Sequence, residues 1–172
     1  FIPVVFHVDY WNYLGWSDRF ASDAYSHRQR KLQQKGIFSG VYTPGVLVTS
    51  KEWNGWRRHN AIPISSHKAG ILIATLKANH ITVAFEHNDK YTLNMAYLGM
   101  GLVSDVTAGE NNRKTLNHEF VVLKHWQQEG NGQWHMALPA VPNKQQKSNA
   151  LVIWLTAHQS ENIIQAVAGY LP

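Results

Sequence analysis

His7, Asp9 and Trp11 alternate along one short segment, so in an extended backbone they share a face. An imidazole beside a carboxylate can relay a proton. The same residues also fit a satisfied core histidine and an aspartate that closes a turn, because nothing obvious in the chain would exchange that proton. Serines are scattered without a G-x-S-x-G elbow, so no hydrolase nucleophile stands out. A second group, Trp53, Trp56, Arg57 and Arg58, is an aromatic-basic cluster. It could stack an anionic or sugar ligand. It could equally pack two domains together, with arginine stems lying over tryptophan faces. No nucleic-acid-binding motif accompanies it, and no nucleic-acid partner is expected.

The ten histidines invite a metal reading: His7, His27, His59, His67, His80, His87, His118, His125, His135 and His158. None falls in an H-x-H or H-x-x-x-H pattern. His118-Glu119 opens like a zincin motif but lacks the second histidine. Neither a metal nor a cofactor is expected. The sequence holds no cysteine, so residues 1–172 have no disulfide, thiol-exchange or thiolate-zinc chemistry of their own. Gly99-Met100-Gly101 and Gly130-Asn131-Gly132 lack the lysine and following helix of a phosphate loop and read as turns.

The elements that must position these residues fall into two textures. Ile2–Val8 is a nearly continuous apolar run, which fits a strand buried on both faces of a parallel sheet. An aromatic loop, Asp9 to Trp16, follows. Ser17, Asp18 or Ser22 can cap a helix that reaches Lys35, and Gly36 is a stop signal. Val41–Thr49 reads as a strand with Pro44 near its start. Lys51–His67 reads as an ordered loop or linker. The charge follows this division: residues 1–70 hold nine Lys/Arg against four Asp/Glu, and residues 71–172 hold seven against seven. A solvated basic helix accounts for that excess, as would an anion-facing surface.

From Ala69 onward, short alternating segments are separated by turn signals: Ile71–Leu76, Ile81–Glu86, Tyr91–Tyr97, Leu102–Val106, Phe120–Trp126, Trp134–Leu138 and Leu151–Thr156. Their spacing predicts an antiparallel sandwich or barrel. One face is expected to be packed by residues such as Ile71, Ile73, Val83, Phe85, Val152 and Trp154. Periodicity leaves Asn162–Tyr170 open between strand and helix. No run is long enough to cross a membrane as an apolar helix.

The run Phe6-His7-Val8-Asp9-Tyr10-Trp11, followed by Leu14-Gly15-Trp16, resembles the signature of the domain of unknown function 1223 family of bacterial proteins. Phe20-Ala21-Ser22, Arg28-Gln29-Arg30 and Val41-Tyr42-Thr43-Pro44 agree with it. So do Gly109-Glu110-Asn111, Thr115-Leu116 and Leu151-Val152-Ile153. The resemblance implies an α+β chain. A partial thioredoxin-like β-α-β unit with its linker would occupy residues 1–67, and an antiparallel β-sandwich-like domain residues 68–172. It implies a periplasmic or secreted setting. It also implies a cis Thr43–Pro44 bond, with a functional face of His7, Asp9, Trp11, Thr43 and Pro44 open to a protein or peptide partner. Family members carry a strand and a Cys-x-x-C helix before this point. Thiol-disulfide activity is therefore expected only if such a segment lies upstream. The alternative is a non-enzymatic module that binds or assembles envelope proteins. The same comparison predicts an unfilled strand position between Ile2–Val8 and Val41–Thr49, to be taken by a segment preceding Phe1, which is the favoured expectation, by another chain, or by a rearrangement that pairs the two strands directly.

Overall fold

The computed structural model describes residues 1–65, 68–109 and 111–172. Helix α1 spans Asp23–Gln34, with Ser22 in extended conformation at its N-cap. Gly36, at φ +71°, takes the left-handed conformation that ends it. Strands β1 (Leu47–Val48) and β2 (Lys51–Glu52) form a minimal antiparallel pair. A single 3₁₀ turn, Gly55–Arg58, follows. The loop reading of Lys51–His67 is thus corrected at Lys51–Glu52, which pair as β2, and at the 3₁₀ turn; Ser66 and His67 lie outside the described residues.

Ile2–Val8 corrects the sequence reading. It is extended but joins no sheet ladder; a lone parallel bridge ties Val5 to Val121. Its apolar residues are not buried on both faces, since Ile2 and Val5 are exposed. Val41–Thr49 likewise contracts to the two residues of β1.

The remaining strands are β3 (Leu72–Lys77), β4 (His80–Phe85), β5 (Tyr91–Met100), β6 (Leu102–Asp105), β7 (Thr115–His118), β8 (Val121–Gly130), β9 (Gln133–Ala137), β10 (Ser148–Ala157) and β11 (Ile163–Tyr170). They pair antiparallel throughout. One sheet has the order β11-β10-β5-β8 and a second the order β3-β4-β9, while β6 and β7 form a small flap. The chain is thus α+β and mostly β, with one α-helix among the described residues.

Alternation builds the main core. Ile81, Val83 and Phe85 from one sheet meet Leu93, Met95, Leu151, Ile153 and Leu155 from the other. The opposite residues of the larger sheet, including Leu98, Val122, Val152 and Trp154, are buried too, beneath Val4, Phe6 and Tyr25 of the N-terminal part. Burial on both faces explains why β5 and β10 are apolar almost throughout.

Two details differ from expectation and one open reading is resolved. Ile71 and Ile73 face solvent, at 63% and 57% exposure, and Leu72, Ala74 and Leu76 turn inward instead. Apolar residues occupy both phases of that segment, and polar Thr75 and Lys77 decide which phase faces out. Gly99 and Met100 lie inside β5, so the turn is confined to Gly101, at φ +64°. Asn162–Tyr170 resolves as strand β11, paired along β10.

Candidate functional site

Ile2–Val8 and Thr43–Thr49 both line an open groove of about 1280 Å³. Trp154, Ile163 and Ala166 of β10 and β11 line it too, as do Tyr25, Arg28 and Leu32 of α1. The lining is predominantly apolar.

The backbone bonding of the two flanks is lopsided. Val5 donates its N–H to Phe120 O (3.0 Å) and accepts from Val122 N–H (2.9 Å). His7 O accepts from Ser22 N–H (3.1 Å). In extended chain the N–H and C=O of successive residues point to opposite edges. The groups of Val4, Phe6 and Val8 therefore lie on the other edge, and these residues line the groove. They make no backbone hydrogen bond among the described residues. On the far flank Val46 O accepts from Trp53 N–H (2.9 Å), while Thr43 and Gly45 make no backbone bond among the described residues. No hydrogen bond joins the two flanks.

Each residue singled out in the sequence can now be placed. His7 lines the groove, but its carboxylate partner is Asp18, not Asp9: Nδ1 stands 2.5 Å from Asp18 Oδ2. Asp18 Oδ1 also accepts the Phe20 N–H at 2.9 Å. Burial alone would raise the Asp18 pKa; the hydrogen bonds from His7 and Phe20 and the nearby imidazoles outweigh it and bring it below the usual value. His118 packs edge-on to His7, with ring centroids 5.3 Å apart. Burial, then the neighbouring His7, lowers the His118 pKa. Among the described residues no hydroxyl or thiol hydrogen-bonds either ring. Asp9 instead accepts from the Ser26 hydroxyl, and Ser26 Oγ in turn accepts the Asp9 N–H at 3.0 Å, which ties the segment's end to α1.

Trp11 donates its indole N–H to Thr43 Oγ1 at 2.9 Å, and the Thr43–Pro44 bond is cis. Trp11, Thr43 and Pro44 line the groove with His7. Asp9 does not join them there. Trp53 lines the groove as well, whereas Arg57 stacks over Trp56 (5.2 Å) and Tyr42 (5.7 Å). Arg57 and Arg58 are exposed. Among the described residues no group of three or more His, Cys, Asp or Glu side chains is arranged to hold a metal ion.

Two residues of this region escaped the sequence reading of the site. Asp18 was legible only as a helix cap. Arg28 was counted with a solvated helix, although the one-helix-turn spacing from Tyr25 to Arg28 places both on the groove side.

The sequence profile of the family described as Protein of unknown function (DUF1223) matches residues 1–156. The chain belongs to the DUF1223 family. It is also similar to the crystal structure of a protein from Agrobacterium tumefaciens, a structural-genomics target. The TM-score is 0.61 at 23% identity, over 98% of this chain and 78% of that one. That likeness concerns the fold. No curated protein sequence matches the chain. The loop residue Glu110, part of the resemblance on which family membership was expected, lies outside the described residues.

Proposed function

We propose that the chain is a polypeptide-binding module whose groove takes an extended strand by strand addition, from a segment preceding Phe1 or from a partner protein. The observation that carries this is the extended flank Val4–Val8, where Val4, Phe6 and Val8 make no backbone hydrogen bond among the described residues, as Thr43 and Gly45 of the same groove make none. Strand addition supplies main-chain hydrogen bonds from the backbone and takes specificity from alternate side-chain pockets. It would satisfy polar groups whose burial without partners costs roughly 1–3 kcal/mol each. In this reading residues 1–67 form the binding unit and residues 68–172 the scaffold beneath it.

The thioredoxin-like reading stands second. The Trp11–Thr43 hydrogen bond favours it, because that bond draws the His7–Trp11 run up to Thr43–Pro44, the face the resemblance assigns to a peptide partner. Redox activity then requires cysteines from outside residues 1–172, and a periplasmic or secreted setting rests on the resemblance alone.

Acetylated octapeptides of alternating Val and Thr, titrated against the chain, test the binding reading. Trp11 and Trp154 lie in the groove, so indole fluorescence should change saturably. Groove-side amide resonances of Val4, Phe6 and Val8 should shift. Absence of both changes at millimolar peptide overturns the proposal.

A further inference from the structure

The smaller sheet turns Leu72, Leu76, Ile81, Val83 and Met136 toward the core it shares with the larger one. The alternate residues of its strands face outward. Register sets these in rows across the sheet: Thr75 beside Thr82 and Thr82 beside His135, with Lys77 beside His80 one row further on. The five side chains line an open pocket of about 300 Å³. None of them lines the groove, which lies beyond the far face of the larger sheet, so the pocket is a separate site.

Its lining has one chemical character. All five side chains can donate a hydrogen bond. No Asp or Glu occurs in β3, β4 or β9, and Lys77, His80 and His135 are the titratable groups on this face. Lys77 enters no ion pair among the described residues. The His80 and His135 rings lie 5.8 Å apart, centroid to centroid, and 18° from parallel. Thr82 Oγ1 stands 3.0 Å from His135 Nδ1. Two imidazoles so placed can share a metal ion. Lys77, opposite His80, repels a cation, however, and no carboxylate offsets it. An anion meets the reverse situation. A charged imidazole donates from both nitrogens. His135 then gives its Nδ1–H to Thr82 Oγ1, which releases the Thr82 hydroxyl proton for a ligand.

We infer that this pocket binds the phosphoryl group of a phosphate monoester, whose oxygens accept from the Lys77 ammonium, the two imidazoles and the two threonine hydroxyls. Bonds from charged donors to phosphate are about twice as strong as neutral ones. Exposed Ile73, one row beyond Thr75 on the same face, supplies an apolar neighbour for the group that carries the phosphate. Imidazole gains its charge between about pH 8 and 5, and a bound anion favours the charged form, so binding takes up protons.

The test uses the whole 172-residue chain with glycerol phosphate and with sulfate, a dianion whose own charge is constant across that range. Glycerol phosphate should saturably shift the amide resonances of Thr75, Thr82 and His135 and leave those of Val4 and Phe6 in place. Sulfate should bind about tenfold more tightly at pH 6 than at pH 8. His80→Gln and His135→Gln together should abolish that pH dependence. Lys77→Gln should weaken binding about tenfold at both pH values. All three positions are exposed, so the variants should keep the melt of the parent chain. Phosphatidylcholine vesicles with and without phosphatidic acid distinguish the sources of the phosphate. Sedimentation of the chain with phosphatidic acid alone, lost in Lys77→Gln, supports the site and assigns a lipid headgroup. Binding of glycerol phosphate without sedimentation supports it and assigns a soluble ester. No response to either form of phosphate overturns the inference. Sulfate binding that is equal at the two pH values overturns it too. So does zinc chloride, if it binds more tightly than glycerol phosphate and is lost in the double histidine variant. None of these outcomes bears on the groove.

Discussion

His125 lies flat on Trp154, with ring centroids 5.3 Å apart and planes 9° from parallel. The imidazole is thereby sealed between the sheet and Phe6, and its pKa drops to about 4. An unfolded histidine titrates near 6.5. Between these values the unfolded chain binds the proton and the folded chain does not, so stability rises with pH across that window. It is fully present above about 6.5 and is lost as pH falls toward about 4. His118, whose pKa is also lowered, acts in the same direction. Denaturant melts at pH 7.5 and 4.5 should differ by on the order of 2–3 kcal/mol. His125→Phe should remove most of that difference. An unchanged difference in a folded variant would show that His125 is not the group responsible.

Asp18 works in a lower window. Its carboxyl pKa is depressed by bonds to His7 and Phe20 that outweigh its burial, so its contribution is present above the unfolded value near 3.9 and is lost as pH falls through the folded one. Asp18→Asn should cost about 1–3 kcal/mol at pH 7, by weakening the bond to His7. Below pH 4 the loss of stability should be shallower than in the parent chain. Urea titrations at pH 7 and pH 3.5 read both effects.

Gly132 turns the chain from β8 into β9, where it crosses from one sheet to the other. Its φ is +87°, and a Cβ there would stand 2.4 Å from the carbonyl oxygen of His87. Backbone strain and the clash with backbone act together, so Gly132→Ala should destabilise the fold by at least about 2 kcal/mol. Gly36→Ala is the informative control. It has a positive φ but nothing within 4 Å of the added carbon, and it should cost about 1 kcal/mol. Equal losses at the two sites would mean that the steric contact at Gly132 relaxes freely.

The phase of β3 can be read by one substitution made twice. Ile81→Ala, at a position 1% exposed, should cost about 2–5 kcal/mol. Ile73→Ala, at a position 57% exposed, should change stability by no more than about 0.5 kcal/mol. Comparable losses in thermal or denaturant unfolding would place Ile73 in the core and reverse the observed register.

Sequence periodicity located the strands of the sandwich well because half-buried strands alternate, and turn residues such as Asn131-Gly132 punctuate them. It failed where the cause of burial was not pairing. The apolar run of Ile2–Val8 packs only Val4 and Phe6 against the sheet and leaves Ile2 and Val5 exposed, and hydropathy does not distinguish this from a strand buried on both faces. Strand β7 was passed over because Thr115–His118 is short and largely polar. At the site, the resemblance drew attention to His7 and Thr43–Pro44, which do line one groove. The partner of His7 was left open because only its neighbour Asp9 was weighed, whereas Asp18 reaches it from eleven positions along the chain.

The ten-residue register between β5 and β10 has a temporal consequence. Met100 pairs with Ser148 and Tyr91 with Ala157, so the middle of the larger sheet joins segments separated by all of residues 101–147. On a ribosome that adds about 5–20 residues per second, β5 emerges several seconds before its principal neighbour. Until then β8 alone can cover one edge of β5, and the other stays open, with apolar side chains on both faces. The nascent chain is therefore most vulnerable to wrong pairing late in synthesis. Arrival of β10 closes that interval and, with it, the support on which the groove is built.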